Sequence, residues 1–540
     1  MRDGATGPDV GRASGTSTAA SPAALRPAAV RARIGRPRIA RRLARRPAVP
    51  LALILGLAVV VRVWELNGVG FNSDEAVYAG QAASIADYGP LEPYFPTFRA
   101  HPLLFQTLLS FGFRLGFEEL FARIVSAAFG VATVYVVFLT GRALYGRRAG
   151  LVAALLVAVM PYHVLVTRQV LLDGPMVLFA TLTLYLVIRF VESQERPWLV
   201  AAGAAMGLTF LSKETSIVLL GSLYAFFALS PAIRLRLRDV AAAAAAMGVV
   251  ALAFPLAISL GGKTETGGHY LAWQIFRRPN HDWTFYATTV PEAIGPLVLL
   301  AAVAGLVLLR DRRSWREILL VSWIVIPTVF FQLWPVKGFQ YLLPVAPALA
   351  ILAARLVIDG LGMSGALRRG LGGPRLAALA MCLLAASLLV PTFQRVQPRD
   401  SETFLAGSGG VPGGRETGQW IRRHVPRGAR LLTIGPSMAN IVRYYGRRKA
   451  FGVAVSPNPL HRNPAYEPLP NPDLLIRHND LQYLVWDAFS AARSPFFSAR
   501  IMRYVDRFHG RLVHQESIKV TTRDGHEAEK PLISVYEVRP

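Results

Sequence analysis

Cysteine is almost missing from this sequence, and charge is scarce. The single cysteine, Cys382, lies inside an apolar run and has no partner, so no intrachain disulfide can form in any compartment. Only 17% of the 540 residues are charged, against 53% hydrophobic, whereas soluble domains carry about 25% charged residues. Mean hydropathy is +0.37. An ordinary soluble fold is thereby excluded, because the missing charge leaves apolar runs of about 20 residues, the length that crosses a bilayer. Acid is scarcer than base. The net charge of +26 would suggest nucleic acid in a soluble protein. Here most of the basic residues fall in the N-terminal tail and in short loops between apolar runs, as retention of Arg and Lys on the cytoplasmic side requires. No nucleic-acid partner is expected.

Residues 1–47 have almost no large apolar side chain, and a segment that buries so little is predicted to stay disordered. Its arginines, from Arg31 to Arg46, predict a cytoplasmic tail held against anionic lipid. A cleaved signal peptide is not expected, since Trp64, Glu65, Leu66 and Asn67 make a poor small-residue cleavage site.

What is there reads as a polytopic helical membrane protein. Apolar runs lie near 49–66, 121–141, 149–166, 174–191, 198–212, 215–230, 239–260, 293–309, 317–334, 339–358 and 375–392, which predicts about eleven transmembrane helices. Every second exit is rich in arginine, as at Arg142, Arg147 and Arg148 or at Arg234, Arg236 and Arg238. That alternation puts the N-terminus inside and everything after residue 393 outside. At Ser212–Thr215 two readings compete, a break or one long helix over 198–230. A Lys–Glu pair in mid-bilayer would be costly, which favours a break there. From about Gly413 the pattern becomes a small extracytoplasmic α/β domain, with strands at 430–435, 481–486, 511–520 and 531–538 and helices at 437–445 and 498–508. The expected division is a tail over 1–47, a membrane domain over 48–393 with a first outer loop at 67–120, and a soluble domain over 394–540. No catalytic set is evident in the last of these, which reads as an accessory module.

The polar residues of interest share one side. Asp74 and Glu75 follow the first run directly, and Tyr78, Arg99 and His101 lie on the same outer loop. The next outer turns bring Arg168 and Asp173, then Lys213 and Glu214, and later Lys337 and Gln340. Acidic residues at a membrane face usually line a cavity or pathway. Carboxylates beside cations suit a lipid-linked phosphate substrate: a cation or metal would hold the phosphate, and a carboxylate would take a hydroxyl proton. Each also has an ordinary reading. Asp74 and Glu75 can simply open a helix. Asp173 before Gly-Pro can be an N-cap, Arg62 can snorkel to the headgroups, Lys213 and Glu214 can pair with each other, and His101–Pro102 can be a turn.

Taken in order, these elements resemble the glycosyltransferase-C superfamily, nearest to its protein O-mannosyltransferase-like and aminoarabinose-transferase-like branch. The resemblance rests on DEAVY at Asp74–Tyr78, HPLL at His101–Leu104, RQVLLDGP at Arg168–Pro175, GLTFLSKE at Gly207–Glu214 and KGFQYLLPVAPALA at Lys337–Ala350. It spans about residues 49–360. It implies an inverting transferase moving a sugar from a polyprenyl-phosphate carrier to a hydroxyl of a glycan, lipid or protein at the extracytoplasmic face of the plasma membrane. It maps the general base onto Asp74 and the accompanying acid onto Glu75. Asp173 becomes a metal-associated or positioning residue, so a divalent cation, Mg or Mn, at Glu75 and Asp173 enters the expectation. Arg99, His101, Arg168, Lys213, Lys337, Gln340 and Tyr78 are the expected substrate-binding set. Leu103 stands where the family often has a second proline, and no basic residue follows, which leaves the acceptor open. The rival class is a transporter or flippase of a lipid-linked sugar. It would favour charges at mid-bilayer and internal repeat symmetry, and the sequence has neither.

Overall fold

The structure is a computed structural model that describes residues 48–96, 101–262, 264–277, 279–308, 314–360, 373–397, 411–521 and 527–540. The expected tail over 1–47 and Arg99 lie outside the described residues. Contacts divide the chain into two units, Met1–Val49 and Pro50–Pro540, and the helices and sheet belong to the second, apart from the first two residues of the first helix.

The apolar runs are helical. α1 (Ala48–Val63) ends in a turn where Glu65 takes a left-handed φ of 46°. α2 (Ser73–Ile85) and α3 (Leu104–Arg114) come next, in the connection to the following long helix. α2 is rich in Ala and Gly because its neighbours sit close: a Cβ on Gly80 would lie 2.3 Å from the Phe95 ring. α4 (Glu119–Val159) reverses direction at Gly146, whose φ of 86° suits only glycine comfortably. Its two arms press together so tightly that a Cβ on Gly141 would fall 2.9 Å from Gly150 Cα.

α5 (Pro161–Arg168), α6 (Asp173–Ser193) and α7 (Arg196–Ser212) continue the bundle. α7 stops at Lys213, which is extended (φ −159°, ψ 122°). A 3-10 turn over Glu214–Ile217 then leads into α8 (Val218–Ala228). The run over 198–230 is therefore two helices, as the energetics of the Lys–Glu pair predict. α9 (Leu237–Ala251) and α10 (Ala253–Leu260) are largely exposed, with Asp239 their one buried residue among those described. α9 packs on α7 where Gly203 and Gly207 let backbones touch; a Cβ on Gly203 would sit 2.1 Å from the Ala243 carbonyl oxygen. Small residues four apart serve this purpose in membranes, where apolar surface alone gives helices no reason to associate.

α11 (Thr264–Ile275) and α12 (Phe285–Ile294) precede a 93° bend at Gly295 into α13 (Pro296–Leu308). α14 (Trp315–Leu333), a 3-10 stretch over Phe339–Val345, α15 (Ala346–Arg355) and α16 (Gly373–Val396) complete the membrane domain. Among the described residues six helices are long and apolar enough to cross a membrane, or seven if the bent pair counts as one span. The chain is a multi-helix membrane protein.

Its C-terminal domain carries a five-stranded mixed sheet of order β2-β1-β3-β5-β4. β1 (Arg430–Thr433) runs parallel to both β2 (Lys449–Gly452) and β3 (Tyr483–Asp487), and β5 (Glu527–Glu537) pairs antiparallel with β3 and with β4 (Arg511–Thr521). α17 (Gly414–His424) and α18 (Pro436–Ile441) cover one face, and α21 (Pro495–Arg507) covers the other after the short α19 (Pro472–Arg477) and α20 (Ala488–Arg493). Side chains alternate across a strand. Leu432 and Leu484 pack with Ile501 and Val505 in a core belonging to this domain. Leu431, Val485 and Val535 face the other way, into a core continuous with that of the membrane domain.

Candidate active site

The site begins where α2 begins. Asn72 is its N-cap: Asn72 Oδ1 accepts from the Glu75 amide at 2.9 Å, and Glu75 Oε2 accepts from the Asn72 amide at 3.0 Å. This reciprocal box satisfies two amides that a helix start leaves bare. Glu75 then receives the Arg123 fork, Nε to Oε1 and Nη2 to Oε2, both at 3.0 Å, and the Val170 amide at 3.0 Å. The side chain is fully buried. The expectation of Glu75 as catalytic acid or metal ligand is corrected on this ground. Its lone pairs are already committed, and its charge is matched by a cation that also holds the carbonyls of Leu66, Val69 and Gly70.

Asp74 is different. One residue on is a 100° rotation around the helix, so its neighbour's burial leaves Asp74 only partly covered. A carboxylate in a first turn is stabilised by the helix dipole. Tyr78, one turn further, shows what converges here. Its hydroxyl is held above the usual tyrosine range, first by burial and then by the carboxylates of Asp74, Asp173 and Glu214.

Two pairs face this position, Lys213–Asp173, which is buried, and His101–Glu214, which is half-buried. Lys213 Nζ donates to both oxygens of Asp173, at 2.8 and 2.9 Å, and lies 4.7 Å from the centre of the Tyr341 ring. Asp173 is the first residue of α6, but Leu172 holds the cap position, so the N-cap reading fails. His101 Nδ1 lies 3.0 Å from Glu214 Oε2, and Tyr270 donates its hydroxyl to Glu214 Oε1 at 3.0 Å. Gln274 bonds Tyr270 in turn, and Tyr78 and Tyr270 stand edge-on to the imidazole with ring centres 5.9 and 5.5 Å away. A carboxylate at Nδ1 pins the proton there and leaves Nε2 as the free nitrogen. Lys213 and Glu214 thus do not pair with each other; the extended backbone at 213 sends them to different partners.

The structure does not bring the other candidates here. Arg168 donates to the carbonyls of Val61 and Arg62 at 2.9 and 3.0 Å, and to Glu65 O at 3.3 Å. It caps the end of α1 and is not available to a substrate phosphate. Arg62 does not snorkel: it is fully buried and bonds Ala58 O, Ala158 O, Thr167 and His163. Lys337 occupies a second neighbourhood. Asn280 locks its backbone, its ammonium donates to Trp334 O at 3.3 Å, and it faces Trp283 at 5.5 Å. There His281 is held below its usual pKa, first by burial and then by Arg493 and Lys337. Gln340 is buried with Oε1 unpartnered. Sequence reasoning missed Tyr270 and Gln274, whose four-residue spacing in the loop 261–292 was the available signal.

A divalent cation does not fit these residues. Glu75 is held by Arg123 and Asp173 by Lys213, and among the described residues no three His, Cys, Asp or Glu side chains are grouped to hold a metal.

The sequence over residues 100–258 matches the family described as dolichyl-phosphate-mannose-protein mannosyltransferase. This segment includes His101, Arg123, Asp173, Lys213 and Glu214. No curated protein sequence matches the chain significantly. In three dimensions the chain is similar to apo ArnT from Cupriavidus metallidurans, with a TM-score of 0.65 at 15% identity over 90% of this chain and 97% of that one. ArnT bound to undecaprenyl phosphate matches at 0.62 and 17% identity over 91% and 98%. An oligosaccharyltransferase from Archaeoglobus fulgidus, tethered to an acceptor peptide, matches at 0.56 and 14% over 90% and 74%. The resemblance to this group of membrane glycosyltransferases therefore holds both in a sequence segment and in the fold.

Proposed function

We propose that this protein is a membrane glycosyltransferase that moves a sugar, with inversion, from a polyprenyl-phosphate donor to an acceptor hydroxyl at the extracytoplasmic face. The observation that carries the reading is the placement of Asp74. It stands in the first turn of α2, beside two acid–base pairs, one buried and one half-buried, that join residues far apart in sequence. Asp74 takes the acceptor proton as that oxygen attacks the anomeric carbon. The bond from that carbon to the phosphate oxygen breaks on the opposite face, and its electron pair leaves with the polyprenyl phosphate. Lys213, oriented by Asp173 and Tyr341, offers positive charge to the departing phosphate, and His101, oriented by Glu214, offers a polar edge. Charge placed in advance where it develops is commonly the largest catalytic contribution. No step is assigned to a metal.

In this reading α4 and the shorter apolar helices bring the number of spans to about eleven. The arginine-rich turns face the cytoplasm and the C-terminal domain faces outward. The similarity to ArnT bound to undecaprenyl phosphate and the family match over 100–258 support a lipid-phosphate sugar as donor. The test is purified protein with a panel of polyprenyl-phosphate sugars, following released carrier phosphate and transferred sugar with and without chelator. Consumption of a donor in both conditions supports the proposal. A donor that crosses the bilayer intact would replace it with transport.

A further inference from the structure

We infer that the C-terminal domain is one jaw of a clamp that positions Asp74, with Tyr445, Asn440 and Arg415 as positioning residues. The inference rests on Asp74 as the base. From Leu66 to Asn72 the chain has no helix or strand of its own, so its path must be imposed from outside. The inner jaw is Arg123, which holds Leu66 O and Gly70 O at 3.0 Å and Val69 O at 2.5 Å. The outer jaw comes from residues more than three hundred positions away. The Phe71 amide donates to the Tyr445 hydroxyl at 2.7 Å, and Asn440 Nδ2 donates to Ser73 Oγ at 3.0 Å. Arg415 reaches Asn67 O and Val69 O at 3.0 Å and Glu119 at 2.5 Å.

Packing closes the same grip. The Phe71 ring lies 5.0 Å from the ring of Tyr444 and 6.3 Å from that of Tyr445, and the Arg123 guanidinium stands 5.0 Å over it. Gly70 is glycine because a Cβ there would fall 2.8 Å from Arg415 Cβ. The residue before Asp74 is thus bonded directly by the outer domain, and the domain's inner core is continuous with that of the membrane bundle. A base must sit within hydrogen-bond reach of the proton it removes, and a 1 Å misplacement from a distant change costs on the order of a hundredfold in rate. The domain read from sequence as accessory therefore completes the site.

The test compares Tyr445→Phe and Asn440→Ala with Arg447→Gln in the full chain in lipid nanodiscs. Arg447 pairs with Glu118 at 3.0 Å, so its loss weakens docking of the domain without touching the segment before Asp74. Two readouts are taken: steady-state kinetics, and hydrogen exchange of the peptide spanning residues 66–75 without substrate. We expect Tyr445→Phe and Asn440→Ala to lower kcat about tenfold or more with donor KM within about twofold, and to speed exchange in that peptide. Arg447→Gln should leave both near wild type. Equal activity in all three variants, or unchanged exchange in the first two, would overturn the clamp. Exchange needs no turnover, so it reports on the clamp even if the transferase reading fails; activity of Asp74→Asn tests that reading separately.

Discussion

Neutralising Asp74 and neutralising Glu75 should have opposite consequences, although the two residues are adjacent and chemically alike. In Glu75→Gln the Arg123 guanidinium, almost fully buried, loses its hydrogen-bonded counter-charge and keeps only Glu119, at 3.6 Å. One of the two oxygens it binds becomes an NH2 that must face donors from Arg123 together with the Asn72 or Val170 amide. Breaking a buried pair from one side costs about 3–5 kcal/mol. A damaged capping box adds about 1 kcal/mol. Together these approach the whole stability of many domains, so the variant should express poorly or denature well below the wild-type temperature. Asp74→Asn forfeits about 0.3–1 kcal/mol of helix-dipole stabilisation and should fold, yet lose about 10²–10⁴-fold in transfer rate. The assay is a paired one: thermal denaturation by size-exclusion profile in detergent, and donor turnover on whatever fraction remains folded. A stable Glu75→Gln, or an Asp74→Asn with near wild-type transfer, would refute the division of labour between these carboxylates.

Three other expectations come from the same geometry. Lys213→Met and Asp173→Asn should each destabilise the protein by about 3–5 kcal/mol, and their double mutant should be milder than the sum, a coupling read by a thermal-stability cycle. In the C-terminal domain, burial pushes the Asp487 carboxyl up from its ordinary 3.8 to about 6. The folded domain then binds this proton more tightly than the unfolded chain does, so its stability should fall by up to about 3 kcal/mol as pH rises from about 4 to about 6. Asp487→Asn should flatten that slope, measured by urea unfolding of the full chain with a fluorophore placed near β3. Gly203→Leu should prise α9 from α7, because even a Cβ there would lie 2.1 Å from the Ala243 carbonyl oxygen; a disulfide-trapping assay between the two helices would report the loss of contact.

The sequence made the helices visible because twenty-residue apolar runs have few alternatives. It revealed the sheet less fully. β2 is four residues long and merges by composition into the loop after it. α17 carries Gly418 in mid-helix, whose presence makes sense only once the Tyr445 side chain is seen 2.4 Å from where a Cβ would stand. Of the residues the sequence offered for the site, Tyr78, His101, Asp173, Lys213 and Glu214 lie together near Asp74, and Arg168 and Lys337 do not. Which acid is left partly exposed, and so proposed as the base, depends on one step of helical rotation, and Glu75 is turned inward onto Arg123, a partner 48 residues away. Arginines were the hardest to read: Arg62 and Arg168 look like substrate ligands or membrane anchors, yet their donors go mainly to backbone carbonyls inside the bundle. A side chain with five donors can serve either end, and only the fold decides.

The single extended residue at Lys213 has a broader implication. Because the backbone is strand-like for that one step, consecutive side chains are thrown to opposite sides, and two opposite charges that would cancel are delivered to separate addresses. The wiring is thus encoded in the count of residues between α7 and α8 as much as in their identities. Removing one residue from this link would hand each pair the wrong member, an error that no later substitution at a single position could repair.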